Sequence, residues 1–252
     1  MQVVYHIFPS FRPNIFLQFC PRTRSGQDQD DIEQPQWLQE YVAELQTHGT
    51  QAKKAIIYCR YIGQVCKLFG FIMATLGKSA WVNNEKLPKN LIVDMYHSSL
   101  DIDSQERVVN SFTTDGNLRC IIATIAFGMG IEVHKVRYIF HWGLSKTIVD
   151  YWQEVGRCSR DGEPGTAVLY RTPTRGHVTT DMEFKEMVSG VESGEVPCMR
   201  EAILSHLWMD EMGPQPVHDE DSCQSTCIEE CKCTKCMCCS VCRSRCPCRI
   251  QK

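Results

Sequence analysis

A chain of 252 residues can bury one substantial hydrophobic core and still leave residues for a smaller appended region. Its apolar content of 43% and charged content of 23% are ordinary for a globular protein, and no run of about 18 apolar residues predicts a transmembrane helix. The net charge of −3 gives no sign of nucleic-acid binding, although a local basic face is compatible with that total. Residues 1–8 lack the basic start of a signal peptide, so we expect an intracellular protein.

Strand and helix patterns alternate along the body of the chain. After a polar linker at residues 22–34, apolar spacing predicts helices at 35–49, 62–76, 104–113 and 147–156. Short apolar runs predict strands at 55–59, 91–95, 119–124, 136–141 and 166–170, and residues 77–90 are predicted to be a surface loop. This alternation predicts an α/β fold with a mostly parallel sheet covered by helices on both faces. Two further helices, at 181–190 and 198–212, precede Pro214 and Pro216.

The sixteen cysteines are unevenly distributed. Five are scattered through the body, and ten lie between Cys223 and Cys248. Without a signal peptide, such a concentration indicates metal ligands rather than disulfides. The tail repeats the pattern C-x3-C-x3-C-x-C with a displacement of 15 residues. The two copies are Cys223, Cys227, Cys231 and Cys233, and Cys238, Cys242, Cys246 and Cys248.

Two segments carry recognisable chemistry. In the first, a predicted strand ends at Thr124 and is followed by Gly128 and Gly130, which allow the backbone to approach a phosphate closely. In the second, Arg157 and Arg160 lie three residues apart near the end of a predicted helix. Arginine keeps its charge and presents fixed donors, so such a pair suits the distributed charge of a phosphoryl-transfer transition state.

Together these segments resemble motifs V and VI of RecQ-type ATP-dependent DNA helicases. The resemblance extends from about residue 11 to residue 173 and also includes residues 10–15, the motif IV-like residues 55–60, and residues 96–100 with the helix that follows them. It implies the second RecA-like lobe of a helicase, flanked by helices and followed by a small, helical, cysteine-rich zinc-binding region. It also implies ATP with Mg²⁺ as cofactor, DNA as partner, and a role in DNA repair or recombination in the nucleus.

The resemblance implies roles for individual residues. Arg160 is the expected arginine finger, with Arg157 and Gln153 near the γ-phosphate. Three residues are expected to approach the nucleotide: Gly128, Gly130 and Glu132. Four are expected along the single-stranded DNA track: Arg60, His97, Ser98 and Thr124.

The sequence departs from the family pattern at a few positions. Cys158 and Ser159 replace the usual Ala-Gly between the two arginines, and both are small enough to preserve the packing. Glu132 replaces an aspartate, and its longer side chain could weaken a ribose contact. In the tail, Ser240 replaces a common aspartate.

The resemblance also implies a structural zinc ion. Cys198 begins a helix similar to the one that supplies the first zinc ligand in RecQ proteins, and the expected four-thiolate site is Cys198, Cys236, Cys239 and Cys242. The remaining cysteines could form a second site from the first repeat or bind soft metals less selectively. His218 is an alternative ligand, although an exposed loop histidine is the simpler interpretation.

These features divide the chain into an N-terminal segment and linker (1–34), a helicase lobe (35–175), the helical part of the zinc-binding region (176–216) and a cysteine-rich tail (217–252). The 252 residues contain no G-x-x-x-x-G-K-[ST] loop and no DE-x-H box, which hold the β- and γ-phosphates and Mg²⁺. We therefore expect a fragment or truncated gene product that needs the other helicase lobe as partner and does not hydrolyse ATP or unwind DNA alone.

Two other functions stay open from the sequence. The chain could be a non-catalytic module that binds single-stranded nucleic acid or a protein partner and carries a metal-binding tail. Alternatively, the tail could chiefly sequester metal, in which case the protein would hold several metal ions rather than one.

Overall fold

A computed structural model of the chain describes residues 11–22, 34–128, 131–172, 180–207, 231 and 233–250. Its strands are β1 (Ile15–Cys20), β2 (Lys54–Cys59), β3 (Val93–Tyr96), β4 (Cys120–Ala123), β5 (Val136–Trp142) and β6 (Gly165–Tyr170). They form one sheet in the order β1-β6-β5-β2-β4-β3, and every neighbouring pair is parallel. The α/β fold with a parallel sheet is therefore confirmed.

Nine α-helices lie in the described part of the chain. Six belong to the body and the region after it: α1 (Gln36–His48), α2 (Ile62–Leu76), α3 (Ile102–Thr113), α4 (Ile148–Val155), α5 (Met182–Ser193) and α6 (Met199–Ser205). Three short ones lie in the tail: α7 (Thr234–Cys238), α8 (Ser240–Ser244) and α9 (Pro247–Ile250). In this part of the chain no helix is both long and apolar enough to cross a bilayer.

The predicted body elements occur within a few residues of their expected bounds. Helix α1 begins after Pro35 and ends at Gly49, whose φ of 50° is readily adopted by glycine. The predicted loop at 77–90 contains three short 3-10 turns. Strand β1 and the three tail helices were not predicted. The predicted helix at 198–212 ends at Ser205, and the residues after Leu207 lie outside the described part of the chain.

The sheet has a hydrophobic core on each face because its strands are buried on both sides. In β2, Ile56 packs into one core and Ile57 into the other, as the two-residue period of a strand requires. Helices α1 and α2 cover the Ile57 face, where Trp37 stacks on Phe140 with ring centroids 4.5 Å apart. Helices α3 to α6 contribute to the Ile56 face. Because all the strands are parallel, their carboxyl ends lie along one edge of the sheet.

The cysteine-rich tail packs against the outer strand of the sheet. Leu17 of β1 forms a parallel bridge with Cys239, and the Phe19 amide donates a 3.1 Å hydrogen bond to Ser240 Oγ. Arg243 lies over the Phe16 ring, 3.8 Å from its centroid. Because β1 has β6 on its other side, the tail covers an otherwise open sheet edge. The serine that replaces the family's aspartate thus has a structural role here.

Arg200 connects the tail to the N-terminal segment. The side chain is only 2% exposed, so its charge needs compensating hydrogen bonds. It donates to the carbonyls of Phe11 (2.7 Å), Arg12 (3.1 Å) and Cys238 (3.3 Å) and also to that of Ile15. The guanidinium therefore holds the N-terminal segment and the tail together, although the two segments lie far apart in sequence.

Replacing Arg200 with methionine is expected to destabilise the protein strongly. Methionine fills much of the same space with an apolar side chain but leaves the buried carbonyls without donors. This loss costs on the order of 3 kcal/mol in the free energy of unfolding. Urea denaturation measures this change. Lys67→Met on the exposed surface of α2 is the matched control and should stay within about 0.5 kcal/mol of the parent. A similar small effect for both variants would contradict the structural role of Arg200.

Candidate functional site

The residues expected along a nucleic-acid track lie at the carboxyl ends of three adjacent strands. Arg60 follows β2, Thr124 follows β4, and His97 and Ser98 follow β3. These strands are neighbours in the order β2-β4-β3, so the sheet brings the four residues into one row. A 3.2 Å hydrogen bond from the Thr124 amide to the carbonyl of Tyr96 joins two of these ends directly.

The members of this row differ in exposure. Ser98 is exposed, Arg60 and Thr124 are half-buried, and His97 is buried. Among the described residues, no hydrogen-bond partner is present for His97 Nδ1. Gln64 accepts hydrogen bonds from the amides of Arg60 and Tyr61, which fixes the turn between β2 and α2. The row thus combines a cation with hydroxyl and imidazole groups at the edge where α/β sheets bind ligands.

A cleft of about 200 Å³ lies beside this row, at the carboxyl ends of β2 and β5. Its polar lining includes Arg60, Ser145 and Lys146. At its base, Glu154 Oε2 accepts a 2.6 Å hydrogen bond from Ser145 Oγ and lies 2.9 Å from His141 Nε2. Sequence reasoning missed this buried network because its three members come from β5, the following loop and α4. It fixes α4 on the sheet, next to the two arginines.

Motifs V and VI are in contact through Arg157. Its Nη1 donates a 2.9 Å hydrogen bond to the carbonyl of Ile131, at the end of the glycine-containing loop. Gln153 is exposed on α4, and Arg160 is exposed on the turn that follows the helix. Arg160 Nε lies 3.4 Å from the Gly156 carbonyl, which leaves most of its donors on the exposed side of the turn. Helix α4 and the turn that follows it therefore present Gln153, Arg157 and Arg160 close together in sequence.

The turn after α4 is fixed by the N-terminal segment. Arg12 donates to the carbonyls of Gly156 (3.0 Å) and Ser159 (2.9 Å) and also to that of Cys158. Asn14 Nδ2 donates to the Ser159 carbonyl at 3.0 Å. Burial lowers the pKa of Arg12. Although residues 10–15 were recognised by resemblance, nothing in their spacing indicated this contact, which spans more than 140 residues.

The far side of the turn is held by an ion pair. Arg137 Nη1 and Nη2 lie 2.9 and 2.7 Å from the two carboxylate oxygens of Asp161. The hydrogen bond from Arg137 lowers the pKa of Asp161. Such a fork-to-fork pair restricts the carboxylate more than a single contact does. The Asp161 carboxylate therefore helps to hold the turn by pairing with Arg137.

The departures at Cys158 and Ser159 fit the packing. Both side chains are fully buried. A Cβ atom at Gly165 would lie 2.5 Å from Cys158 Sγ and 2.4 Å from Ser159 Oγ, so β6 must have glycine here. Ser159 has a φ of 46°, a region that favours glycine, and Arg137 Nη1 donates to its hydroxyl at 3.3 Å. The larger side chains are therefore accommodated without opening the turn.

The residues expected to approach the nucleotide are only partly described. Gly128 ends a short 3-10 turn after β4, and Gly130 lies outside the described residues. Glu132 is exposed, and its Oε1 lies 3.6 Å from His134 Nε2. The longer carboxylate side chain is therefore accessible from solvent.

Four cysteines form a compact group beside β1. The Sγ atoms of Cys198, Cys238, Cys239 and Cys242 all lie within 4.8 Å of one another, and the four residues are buried. Hydrogen bonds from the other three thiols, that of Cys238 first, lower the pKa of Cys198 well below that of an ordinary thiol. Four buried thiols at this spacing fit a tetrahedral zinc ion with Zn–S distances of about 2.3 Å and no position for water.

The structure brings together three of the four expected ligands. Cys198, Cys239 and Cys242 share the group, but its fourth member is Cys238. Cys236 lies instead with Cys246 and Cys248, on the opposite side of α7. The sequence does not distinguish the adjacent cysteines 238 and 239; in the structure Cys238 ends α7, Cys239 precedes α8, and both lie in the same group. His218 lies outside the described residues.

Comparisons with known proteins agree with this geometry. Residues 33–162, just over half of the chain, match the family described as "Helicase conserved C-terminal domain". The chain belongs to this helicase family. It is 34% identical over 125 residues to ATP-dependent DNA helicase RecQ of Pasteurella multocida, covering 50% of this chain and 17% of that protein. It therefore corresponds to the C-terminal helicase region of RecQ-type proteins.

Two further likenesses extend the comparison. The mouse bifunctional 3′-5′ exonuclease/ATP-dependent helicase WRN is 28% identical over 211 residues, which cover 78% of this chain and 13% of that protein. The crystal structure of the DUF1998 helicase MrfA bound to DNA is similar over 69% of this chain and 22% of its own, with 13% identity and a TM-score of 0.49. This chain thus spans only 17% and 13% of the two curated relatives described here.

Replacing Arg12 with alanine is expected to loosen the turn that carries Arg160. The variant loses donors to three carbonyls, and we expect a loss of about 1–3 kcal/mol in the free energy of unfolding, which lowers the Tm by about 2–12 °C in a chain of this size. Arg12→Lys should recover less than half of the loss because an ammonium cannot reproduce the guanidinium fork. Scanning calorimetry measures both variants. Equal Tm values for the parent and the alanine variant would show that Arg12 does not hold this turn.

Proposed function

We propose that this chain is the second lobe and zinc-binding region of an ATP-dependent 3′–5′ DNA helicase of the RecQ type. The observation that carries the proposal is the arrangement of motif VI. Arg157 donates a hydrogen bond to the motif V loop. The exposed Arg160 lies on a turn that is fixed by Arg12 and by the ion pair between Arg137 and Asp161. An arginine held in this way is ready to meet a phosphate from a partner lobe without reorganising.

In the proposed mechanism, ATP with Mg²⁺ lies between this lobe and a first lobe that carries the phosphate-binding loop. Arg160 donates hydrogen bonds to the γ-phosphoryl oxygens, and its charge stabilises the transition state. Arg157 and Gln153 orient the same group, while Gly128, Gly130 and Glu132 approach the nucleotide. The chain's own contribution is positioning and electrostatic stabilisation, which phosphoryl transfer mainly requires.

Single-stranded DNA is proposed to follow the row at the carboxyl ends of β2, β4 and β3. Arg60 attracts the backbone, and Ser98, Thr124 and His97 offer polar contacts to phosphate or sugar. Such contacts are independent of base sequence, which suits a translocating enzyme. Motif V runs from Thr124 to Ile131, and the Ile131 carbonyl accepts a hydrogen bond from Arg157. Closure of the two lobes around ATP would therefore move the residues at the carboxyl ends of β2, β4 and β3 along the single-stranded DNA.

The four-thiol group supports the proposal from the other end of the chain. Zinc there would be structural, since the site is closed by Cys198, Cys238, Cys239 and Cys242. Its role would be to hold the tail on β1 and so support the segment that fixes motif VI. We place the activity where chromosomal DNA is handled, the nucleus in a eukaryotic cell, with repair and recombination as its proposed context.

The proposal is tested in a protein that joins this chain to a RecQ-type first lobe. DNA-stimulated ATP hydrolysis is expected in the parent, and Arg160→Ala is expected to lower kcat by about 10³-fold or more while nucleotide affinity stays within a few-fold. Arg160→Lys should recover little, because a point charge does not span two oxygens. Lys67→Met is the matched surface control. Full turnover in the alanine variant would exclude Arg160 as the arginine finger.

A further inference from the structure

Five cysteines form a second group that the four-thiol site does not use. Cys231 is half-buried, and four others are 9% exposed or less: Cys233, Cys236, Cys246 and Cys248. They form a hydrophobic cluster of their own, distinct from the two cores of the sheet. Within the part of the chain that the structure describes, this cluster consists of cysteines alone.

The sulfur atoms in this second group are connected in series. Cys233 Sγ lies 3.5 Å from Cys246 Sγ, Cys246 Sγ lies 3.3 Å from Cys248 Sγ, and Cys248 Sγ lies 3.3 Å from Cys236 Sγ. Disulfides join cysteines in separate pairs, whereas Cys246 and Cys248 each approach two partners. A tetrahedron with metal–sulfur bonds of about 2.3 Å has sulfur atoms about 3.8 Å apart, close to these separations.

Both thiol groups contain the same local turn. In the first group, the Cys242 amide donates a hydrogen bond to Cys239 Sγ at 3.4 Å. In the second, the Cys236 amide donates to Cys233 Sγ at 3.3 Å. Each pair has C-x-x-C spacing, and an amide donor favours the thiolate form that a metal ion requires. The second group is therefore built from the same unit as the first.

The sequence repeat explains how the second group arises. Cys231 and Cys233 end the first copy of C-x3-C-x3-C-x-C, and Cys246 and Cys248 end the second. Cys236, which stands outside the repeat, belongs to two triads: its Sγ lies within 4.8 Å of those of Cys231 and Cys233, and within the same distance of those of Cys246 and Cys248. The earlier cysteines of the second copy, Cys238 and Cys242, belong to the other group. The second copy thus divides its four cysteines between the two thiol groups instead of forming one group of its own.

We propose that Cys233, Cys236, Cys246 and Cys248 bind a second zinc ion. Binding would replace four S–H bonds with four Zn–S bonds and release four protons to solvent, with no change in oxidation state. The centre carries a net charge of −2, and the basic residues of this segment, Lys235, Arg243, Arg245 and Arg249, compensate it at short range in sequence. Cys231 is left as a fifth, half-buried thiol.

The second centre would hold α9 against α7 and complete the tail. Helices α7, α8 and α9 have four or five residues each, too few to be stable alone. Cys236 and Cys238 lie on the same helix but reach different groups, so α7 would be fixed from both sides. This role is independent of ATP hydrolysis and holds whether or not the chain is part of a helicase.

Metal content of the full chain tests the proposal. We expect Cys246→Ser/Cys248→Ser to lose one equivalent of zinc, by native mass spectrometry and elemental analysis, and to retain the zinc of the first centre. Cys239→Ser/Cys242→Ser should lose the other equivalent. Cys66→Ser, which removes an exposed thiol on α2, is the matched control and should lose none. Unchanged zinc in Cys246→Ser/Cys248→Ser would overturn the proposal.

Two further measurements use proteins that keep all four proposed ligands, so the test stays decisive if a ligand variant fails to fold. After exchange with ¹¹³Cd, the wild-type chain should show at least two cadmium resonances typical of four-thiolate coordination, and a single resonance would overturn the proposal. Cys231→Ser should retain the second zinc, and its loss there would overturn the choice of four ligands. A metal-free tail, lighter by two hydrogens for each disulfide formed, would also contradict it.

Discussion

Arg200 is a charged residue that is only 2% exposed. Its guanidinium donates hydrogen bonds to backbone carbonyls of the N-terminal segment and to that of Cys238. Water cannot replace these partners, so the guanidinium requires both segments to be in place. In the same N-terminal segment, the side chain of Arg12 donates hydrogen bonds to the carbonyls of Gly156 and Ser159, which follow α4. Two arginines acting through backbone carbonyls thus connect the cysteine-rich tail with the turn that presents Arg160.

This connection gives the tail a role in the proposed activity. Sites that stabilise a transition state must be fixed before the reaction, and a side chain displaced by about 1 Å loses much of its effect. The order of contacts runs from the thiol groups to Arg200, then to the segment at residues 11–15, and then to Arg12 and motif VI. Under the proposed function, the cysteines of the four-thiol group would therefore act on nucleotide chemistry without approaching the nucleotide.

The sequence predicts the body of this fold well because buried parallel strands leave continuous apolar runs, and helices between them leave a regular period. Helix α2 has its predicted bounds, and Thr124 and Arg157 follow the predicted strand β4 and the predicted helix α4. Strand β1 was missed because its partner is β6, 150 residues away in register, and its own burial is incomplete. The thiol groups were only partly predicted, because spacing shows that cysteines can bind metal but not which of two adjacent cysteines faces which centre. The Arg12 and Arg200 contacts are to backbone carbonyls, which leave no trace in side-chain patterns.

Hydrogen exchange of the full chain, measured with zinc bound and after chelation, tests the link between the tail and motif VI most directly. The link predicts faster exchange after chelation in the tail, at residues 11–20 and at residues 156–163. Helix α2, on the opposite face of the sheet, should exchange at the same rate in both states and serves as the internal control. A change confined to the tail, with residues 156–163 unaffected, would contradict the link.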